Sequence, residues 1–526
     1  MRPAPIAFLL SFSLAAIAAT GGVAAQDGRL PDIGSSAGAL LSPAQQAEYG
    51  AMTLSQLRNY GYTLEDPLIA TWLQSMGQRL GAASDKPTQR FTFFMLGDRQ
   101  INAFATLGGY IGVNAGLVLA ADSEDEVAAV VAHEVAHVTQ EHVLRGAEQA
   151  QRDSVPILLA MLGAIAIAQS SGGRSGDNAT MAALMSAQGL MAQRQINYTR
   201  SNEAEADRVG IRTLSRGGYD PDAMAGFFEQ LQSVARSTES RESAPDYLRT
   251  HPVTTTRISE ARDRARQIAN GPQPFVPTSR ISDNPMLPAS LRITTNAGAD
   301  LGGEFMWARE RLRVLSANSP AQAVREYERM ARHSALDDAQ RYGLALARYL
   351  DGDPGQAATD LQALLQEHPG QSWLELALAQ ADARAGRTDA ADARFEALAA
   401  RMPSSRAVAL TYAVALNERN TRAAGQRAQA LLRPLLAGAA DDPLFQRTFA
   451  RTSEIAGDPV RAGEAYAEAA FLNGRAEQAL VQLNTLKKRD DLDYYARARI
   501  DARIAAITPV VLELRRQGIR DPDLDR

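Results

Sequence analysis

The second half of the chain repeats itself every 34 residues, and this period restricts the possible folds more than any other feature. Gly352 and Gly386 are 34 residues apart, as are Pro369 and Pro403. The sequence between them is rich in alanine and leucine, with almost no strand pattern. Such a period predicts pairs of short helices, and no single pair can bury its apolar face alone. We therefore expect the pairs to stack into a helical solenoid with a concave surface.

The positions inside this repeat resemble the tetratricopeptide motif. Ala357 and Ala391 are each followed four residues later by a large apolar residue, Leu361 and Phe395. The tryptophan-leucine-glycine opening of the motif is degraded, so the repeat boundaries stay open. We assign residues 306–505 to tetratricopeptide repeats. The alternative is an alanine-rich helical bundle.

The length of 526 residues predicts two or three domains. Residues 271–305 contain five prolines, which remove backbone donors and disfavour helix, so this segment is a predicted linker. It would separate an N-terminal domain, residues 26–270, from the repeats. Residues 506–526 are a predicted C-terminal tail.

Residues 1–25 have the pattern of a cleavable signal peptide: one arginine, an apolar run and small residues before the cleavage site. The apolar run of about 14 residues is shorter than the roughly 20 that span a bilayer, which disfavours an uncleaved anchor. The sequence has no cysteine, which excludes disulfides and a lipid-modified cysteine. The net charge of −5 gives no support for a nucleic-acid partner. We expect a secreted or periplasmic protein.

The N-terminal domain combines strand and helix patterns. Residues 91–96 predict a strand, and Gly108 and Gly109 separate two further short strand-like runs. The acidic segment 122–126 predicts the start of a helix, because carboxylates stabilise its positive end. Residues 155–168 would span about 21 Å as a helix, which favours a buried or site-covering helix over membrane insertion. The expected fold is mainly α, an α+β domain with a small sheet followed by a helical solenoid.

The chain has six histidines, and His133, His137 and His142 lie within ten residues of one another. Residues four apart on a helix share a face, so His133 and His137 can bind one ion. Glu134 is rotated by about 100° from His133 and can hold a water molecule without binding the metal. Zinc would lower the pKa of that water, and the carboxylate would take its proton during attack on a carbonyl. We therefore predict a hydrolytic zinc site.

A catalytic zinc needs a third protein ligand, and the candidates are His142, His251 and a carboxylate. His142 lies five residues after His137, which places it about half a turn round the helix axis. It is therefore expected to point away to the surface. Glu203 and Asp207 are four residues apart on a second predicted helix, so one can bind the ion while the other faces the same cluster. Glu205 is expected to face solvent.

These motifs resemble the zinc metallopeptidases that include HtpX and the type I CaaX prenyl protease. The pattern HExxH followed by Glu-x-x-x-Asp is typical of that family, and NAFATLGGYIGVNAGL, from Asn102, is similar to its segment before the zinc helix. The segments LPDIGSSAG, GGYDPDAM and HPVTTTRISEARDRA extend the similarity to a periplasmic group with C-terminal repeats. A zincin-like fold for the N-terminal domain is implied.

The resemblance also implies the roles of the site residues. His133, His137 and Glu203 would hold one Zn²⁺ ion, and Glu134 would be the general base. Asp207 matches an aspartate that orients a zinc histidine and is assigned a proton-donor role.

Two further parts of the chain acquire an expected role in the same way. His251 matches a histidine that fills the fourth zinc position in the resting enzyme; the alternative is a structural histidine that precedes Pro252 at the start of a helix. Residues 109–113 resemble the sheet edge that receives an extended substrate.

The implied function is that of a periplasmic zinc metalloendopeptidase that degrades misfolded or stalled outer-membrane β-barrel proteins. The repeats would recruit the outer-membrane β-barrel assembly machinery. The main alternative is a chaperone-like assembly factor whose protease site is mostly latent. A membrane-embedded prenyl-type protease is disfavoured by the cleavable signal and the lack of long apolar spans, although residues 155–168 leave peripheral membrane contact open.

Overall fold

The computed structural model describes residues 41–149, 199–237, 245–271 and 304–516. The N-terminal part contains, in chain order, α1 (Pro43–Asn59), α2 (Pro67–Ala83), β1 (Thr92–Leu96), β2 (Ala103–Ala105), β3 (Tyr110–Asn114), α3 (Ala115–Ala120), α4 (Glu124–Thr139), α5 (142–149), α6 (199–216), α7 (Ala223–Ser237), α8 (Asp246–Thr250) and α9 (Thr255–Asn270). The C-terminal part contains α10 (Phe305–Leu315), α11 (Pro320–His333), α12 (Asp338–Asp351), α13 (Pro354–Glu367), α14 (Ser372–Arg384), α15 (Thr388–Arg401), α16 (Arg406–Glu418), α17 (Arg422–Leu432), α18 (Pro443–Ala456), α19 (Pro459–Leu472), α20 (Ala476–Lys487) and α21 (Tyr494–Arg516). The predicted signal peptide, the apolar segment 155–168 and most of the predicted linker lie outside the described residues.

The three strands form one small sheet in the order β1–β3–β2. β3 pairs with β1 in parallel, with Tyr110 opposite Thr92, and with β2 antiparallel, with Val113 opposite Ala103. The strand predicted at residues 91–96 is confirmed by β1.

The expectation that residues 109–113 form an exposed edge of this sheet is wrong. They belong to β3, which is the central strand, because the chain before it folds back and covers its second side with β2. The sequence predicted the strands but not their order. The edge on this side of the sheet is β2.

The glycine pair between β2 and β3 makes this reversal possible. Gly108 and Gly109 have φ values of 72° and 84°, a region that L-residues with a Cβ rarely adopt. A Cβ on Gly108 would also lie 2.6 Å from the Cα of Ala47, so its absence allows α1 to pack on the turn. The predicted separation of two strands at this pair is confirmed.

The C-terminal helices follow the predicted 34-residue period. The first helices of successive pairs begin at residues 338, 372 and 406, and the second helices begin at residues 354, 388 and 422. The alanine and large apolar positions of the repeat are all fully buried: Ala357, Leu361, Ala391 and Phe395. These buried positions form the contacts between successive helices, which confirms the tetratricopeptide-type solenoid.

The repeat region packs directly against the N-terminal domain. Helix α10 contacts α2 and α3, and one apolar core continues through both parts of the molecule. Arg311 of α10 donates two hydrogen bonds to Asp66, at 2.7 and 2.8 Å, with both residues buried. Asp66 also accepts hydrogen bonds from the N–H groups of Leu68 and Ile69 and so caps α2. The repeats are therefore packed on the N-terminal domain across the predicted linker.

The last helix does not stop where the sequence analysis ended the repeats. Helix α21 continues without interruption through residue 505, so part of the predicted tail is helical. The precise limits of the domains remain predictions. Within the described ranges, no helix has both the length and the apolar character required to cross a membrane.

Candidate metal centre

Helix α4 carries the two motif histidines into the core. Ser123 caps it by accepting a hydrogen bond from the N–H of Glu126, and the first turn is acidic, as predicted. His133 is fully buried, and its Nε2 lies 3.0 Å from the Nε2 of His137, one turn later. The two imidazoles therefore converge on one point.

Helix α6 brings a carboxylate to the same point. Glu203 is buried, with one oxygen 3.4 Å from the Nε2 of His133 and the other 3.3 Å from the Nε2 of His137. Gly210 allows α6 to approach α4 closely, since a Cβ there would lie 3.1 Å from the Cα of His133. The carboxylate predicted as a possible third ligand thus lies beside both histidines.

His251 completes a group of four ligand atoms. Its Nδ1 lies 3.0 Å from Oε1 of Glu203 and 3.4 Å from Nε2 of His133. The ligand atoms of His133, His137, Glu203 and His251 all lie within 4.8 Å of one another. In a tetrahedral site with bonds of about 2.0–2.1 Å, the ligand atoms are about 3.3 Å apart. The donor set and its spacing therefore fit a zinc ion.

The electrostatics of the group favour a positive charge at its centre. Burial opposes charge on His133, yet the nearby carboxylates of Asp207 and Glu203 raise the pKa of its imidazole to about 10. Burial also opposes ionisation of Glu203, but hydrogen bonds with the three imidazoles hold the pKa of this carboxyl well below its usual range. A cation among these groups would be stabilised by the same carboxylates.

Glu134 lies beside the group rather than in it. Its side chain is 1% exposed, and its Oε1 has no hydrogen-bond partner among the described residues. The same oxygen lies 3.6 Å from the Nε2 of His251. An unsatisfied buried carboxylate oxygen is costly, and it is expected where a water molecule or a substrate supplies the missing donor.

Asp207 and Arg257 form a buried ion pair behind His133. Oδ1 of Asp207 lies 2.9 Å from Nδ1 of His133, the nitrogen that faces away from the other ligands. Arg257 donates to both oxygens of Asp207, at 2.6 and 2.7 Å, and its Nη1 lies 2.9 Å from Glu203. Burial alone would raise the pKa of Asp207, but hydrogen bonds with Arg257 and His133 lower it.

Sequence reasoning missed Arg257 as a site residue. The signal available was an arginine six residues after His251, in the same quoted segment HPVTTTR. The arginine lies in the first turn of α9, where Thr254 caps the helix, and this cap directs the side chain back to the carboxylates.

The short helix α8 holds His251 in the group. The N–H of His251 donates to the carbonyl of Tyr247 at 2.7 Å, and the two rings stack with centroids 4.7 Å apart. Tyr247 is fully buried, and its own N–H donates to the carbonyl of Ile101. The structure thus places His251 beside His133, His137 and Glu203, and its role as a fourth zinc ligand stays a prediction.

Two residues assigned to the surface lie behind His137 instead. His142 is 5% exposed, and its Nδ1 lies 3.0 Å from the Nδ1 of His137. The prediction that it points away was wrong, because α4 ends at Thr139 and the φ of 56° at Glu141 changes the course of the backbone before His142. Glu205 lies 3.2 Å from the Nε2 of His142 and accepts a hydrogen bond from Arg145, so it does not simply face solvent.

A small cavity of about 20 Å³ lies beside His137 at the end of β2. Ala105 and Thr106, at the end of β2, line it together with His137 and Leu144. Strand β2, rather than β3, is therefore the strand next to the candidate metal centre.

Comparisons with known proteins add two domain families and full-length relatives. Peptidase family M48 matches residues 67–265, and the tetratricopeptide repeat matches residues 348–415. The chain is 32% identical over 498 residues to the beta-barrel assembly-enhancing protease of Yersinia pestis, which covers 94% of this chain and 95% of that protein. It is 31% identical over 479 residues to the protein of that name from Escherichia coli strain K12, with 90% of each chain covered. A putative beta-barrel assembly-enhancing protease of Vibrio cholerae is 44% identical over 240 residues, 45% of this chain and 48% of that protein.

Proposed function

Because this chain belongs to the family of the beta-barrel assembly-enhancing proteases, M48 peptidases with tetratricopeptide repeats, we propose that it is a periplasmic zinc endopeptidase that degrades misfolded or stalled outer-membrane β-barrel proteins. The metalloprotease activity follows from the family. The metal, the residue roles and the substrate class are proposed. The supporting observation is a group of four possible ligand atoms that all lie within 4.8 Å of one another, with Glu134 beside it.

The proposed zinc ligands are His133, His137 and Glu203. Asp207 would orient His133, because a carboxylate at Nδ1 fixes the tautomer that presents Nε2 to the metal. Both oxygens of Asp207 are engaged by Arg257, on the far side of the imidazole. This geometry supports an orienting role for Asp207 more than the proton-donor role.

Glu134 would act as the general base. Zinc in such a site polarises a peptide carbonyl and lowers the pKa of water. The buried Oε1 of Glu134, which has no partner among the described residues, would accept the proton of the attacking water and return it to the leaving amine. The neighbouring buried groups exclude bulk water from this carboxylate.

His251 would have to leave before a peptide binds. Three protein ligands and an open position are typical of catalytic zinc, whereas four protein ligands are typical of closed sites. The short helix α8 carries both His251 and the stacked Tyr247, so the two rings would move together. Their departure would free the space next to Glu134.

The substrate class is supported by the edge strand and by the family. The relatives are named for enhancing β-barrel assembly. An unfolded β-barrel strand is extended and can add to β2 through backbone hydrogen bonds, with little sequence preference. The repeats would recruit the assembly machinery, and the predicted signal peptide would place the protein in the periplasm, where such substrates pass.

A second function is supported by one observation, the presence of His251 among the four side chains that could bind the ion. A site held closed in this way would leave the repeats to promote assembly as a chaperone-like factor. This function and proteolysis are separated by Glu134→Gln, which removes the base but keeps the ligands.

The test uses the mature protein with its zinc content measured and an unfolded outer-membrane β-barrel protein as substrate. Wild type, Glu134→Gln and His251→Ala are compared by loss of full-length substrate. We expect His251→Ala to cleave faster than wild type, and Glu134→Gln to bind zinc but cleave about 10²–10⁴-fold more slowly. One zinc ion in all three proteins with cleavage by none would overturn the protease function and favour the assembly factor.

A further inference from the structure

His137 contacts a second layer of side chains that the proposed mechanism does not use. On the side away from the ligand group, its Nδ1 lies 3.0 Å from the Nδ1 of His142. The Nε2 of His142 lies 3.2 Å from Oε2 of Glu205, and that oxygen accepts a hydrogen bond from Arg145 at 3.0 Å. His142 is nearly as buried as the proposed ligands, so this contact lies in the interior of the domain.

The backbone is shaped to bring His142 to this place. Helix α4 ends at Thr139, and α5 begins at His142. Between them Glu141 has a φ of 56°, which is unfavourable for a residue with a Cβ. A salt bridge from Lys86 to Glu141, at 2.6 Å, lies at this turn. A turn in this costly conformation places the second imidazole against the first.

The proton positions follow from the chemistry of imidazole. A metal-binding Nε2 carries no proton, so neutral His137 has its proton on Nδ1 and donates it to the Nδ1 of His142. The proton of His142 is then on Nε2, from which it donates to Glu205. Each contact in the series then pairs one donor with one acceptor.

We propose that His142 is a positioning residue for His137, held in turn by Glu205. The inference rests on the proposed zinc site. The two motif histidines would then be oriented in parallel ways: His133 directly by the carboxylate of Asp207, and His137 by the carboxylate of Glu205 through an intervening imidazole. Such contacts fix the ring and raise the basicity of the nitrogen that binds the metal.

The test compares packing with hydrogen bonding at residue 142 in the full mature chain. His142→Leu fills space without an acceptor, whereas His142→Asn offers an amide oxygen near the position of Nδ1. The control is His368→Leu, since His368 lies 2.7 Å from Asp338 in another histidine–carboxylate pair, within the repeats. Zinc affinity is measured by chelator competition, and ligand geometry by the visible absorption spectrum of the cobalt-substituted protein.

We expect His142→Leu to weaken zinc binding about 10–100-fold and to alter the cobalt spectrum. His142→Asn should recover most of both, Glu205→Gln should show a smaller loss, and His368→Leu should match wild type. If His142→Leu fails to fold, His142→Asn and Glu205→Gln still test the role. Weaker zinc binding in Glu205→Gln, with nearly wild-type binding in His142→Asn, supports it. Wild-type affinity and spectrum in every folded variant at positions 142 and 205 would overturn it.

Zinc binding by wild type and by His133→Ala tests the proposed site independently of residue 142. If wild type binds one zinc ion and His133→Ala loses it, the proposed site stands whatever the variants at residue 142 do. If wild type binds no zinc that depends on His133, the proposed function fails, and the inference fails with it.

Discussion

The candidate metal centre and the repeat region are built in opposite ways. The centre gathers ionisable side chains from α4, α6, α8 and α9, far apart in sequence, and buries them together. In the repeats each helix packs mainly on its neighbours in the chain, and buried alanine and aromatic residues form the contacts. Apart from a few buried groups such as Arg311 and Asp382, the charges there lie in ion pairs that solvent reaches, such as Arg341 with Glu367. A function that needs buried charge depends on long-range contacts, whereas a scaffold can depend on local ones.

This difference predicts that the two regions respond to different changes. Buried carboxylates and imidazoles are costly without a cation, so the centre should be sensitive to metal and to protons. The repeats hold few such groups in their core, so they should be sensitive mainly to lost volume.

The largest effect is expected from Phe395→Ala in the repeats. Phe395 is fully buried and stacks on Tyr412 with ring centroids 4.7 Å apart. Removing the ring should lower the free energy of unfolding by about 3–5 kcal/mol, through lost burial and a cavity. Urea denaturation measures this loss, and zinc titration of the folded variant should give the wild-type affinity.

Val414→Ala, at an exposed position of α16, is the control, with an expected change in the free energy of unfolding below about 0.5 kcal/mol. A weaker zinc affinity in folded Phe395→Ala would contradict the separation of the two regions.

Removal of zinc should have the next largest effect. An ion that binds only the folded state stabilises it by about 3 kcal/mol when free zinc is at a hundredfold excess over Kd. Chelation should therefore lower the Tm of wild type, as measured by calorimetry with and without zinc. His368→Leu should show the same zinc-dependent shift, and Glu203→Gln should show little. An unchanged Tm in wild type would mean that the buried cluster does not depend on a cation.

A smaller, pH-dependent effect is expected at Glu124, in the core of the N-terminal domain. Burial raises the pKa of this carboxyl to about 7, despite hydrogen bonds from Trp72 and Tyr219. Its folded pKa lies above the unfolded value of about 4.3, so the folded state binds more protons between these limits. Its contribution to stability is therefore present below about pH 4.3 and is lost as pH rises to about 7.

Glu124→Gln removes this dependence, because an amide needs no proton to be neutral. The variant should exceed wild type by about 2–3 kcal/mol at pH 8 and by much less at pH 4.5. Urea denaturation at both pH values measures the difference, and any shared loss of zinc in acid cancels between the two proteins. Glu48→Gln, at an exposed position of α1, is the control. A constant difference across this pH range would show that Glu124 is already charged in the folded protein.

The same contrast explains which parts of the molecule could be predicted. The repeats were predictable because a 34-residue period and its glycine turns are local signals, and the paired histidines of α4 were predictable from helical geometry. His142 was misjudged because that geometry was extended past the end of α4, through the left-handed turn at Glu141. The position of β3 was misjudged because local pattern gives strands but not their order. Arg257 was missed because its partners are about 50 residues away in the chain.

The continuous apolar core between the repeats and the N-terminal domain sets the distance between the repeats and the candidate metal centre. With α10 packed on α2 and Arg311 paired to Asp66, this distance is a property of side-chain packing. It does not depend on how many residues connect positions 271 and 304. Lengthening the connection would therefore leave the distance between the repeats and the candidate metal centre unchanged. Repacking the contact between α2 and α10 would change it.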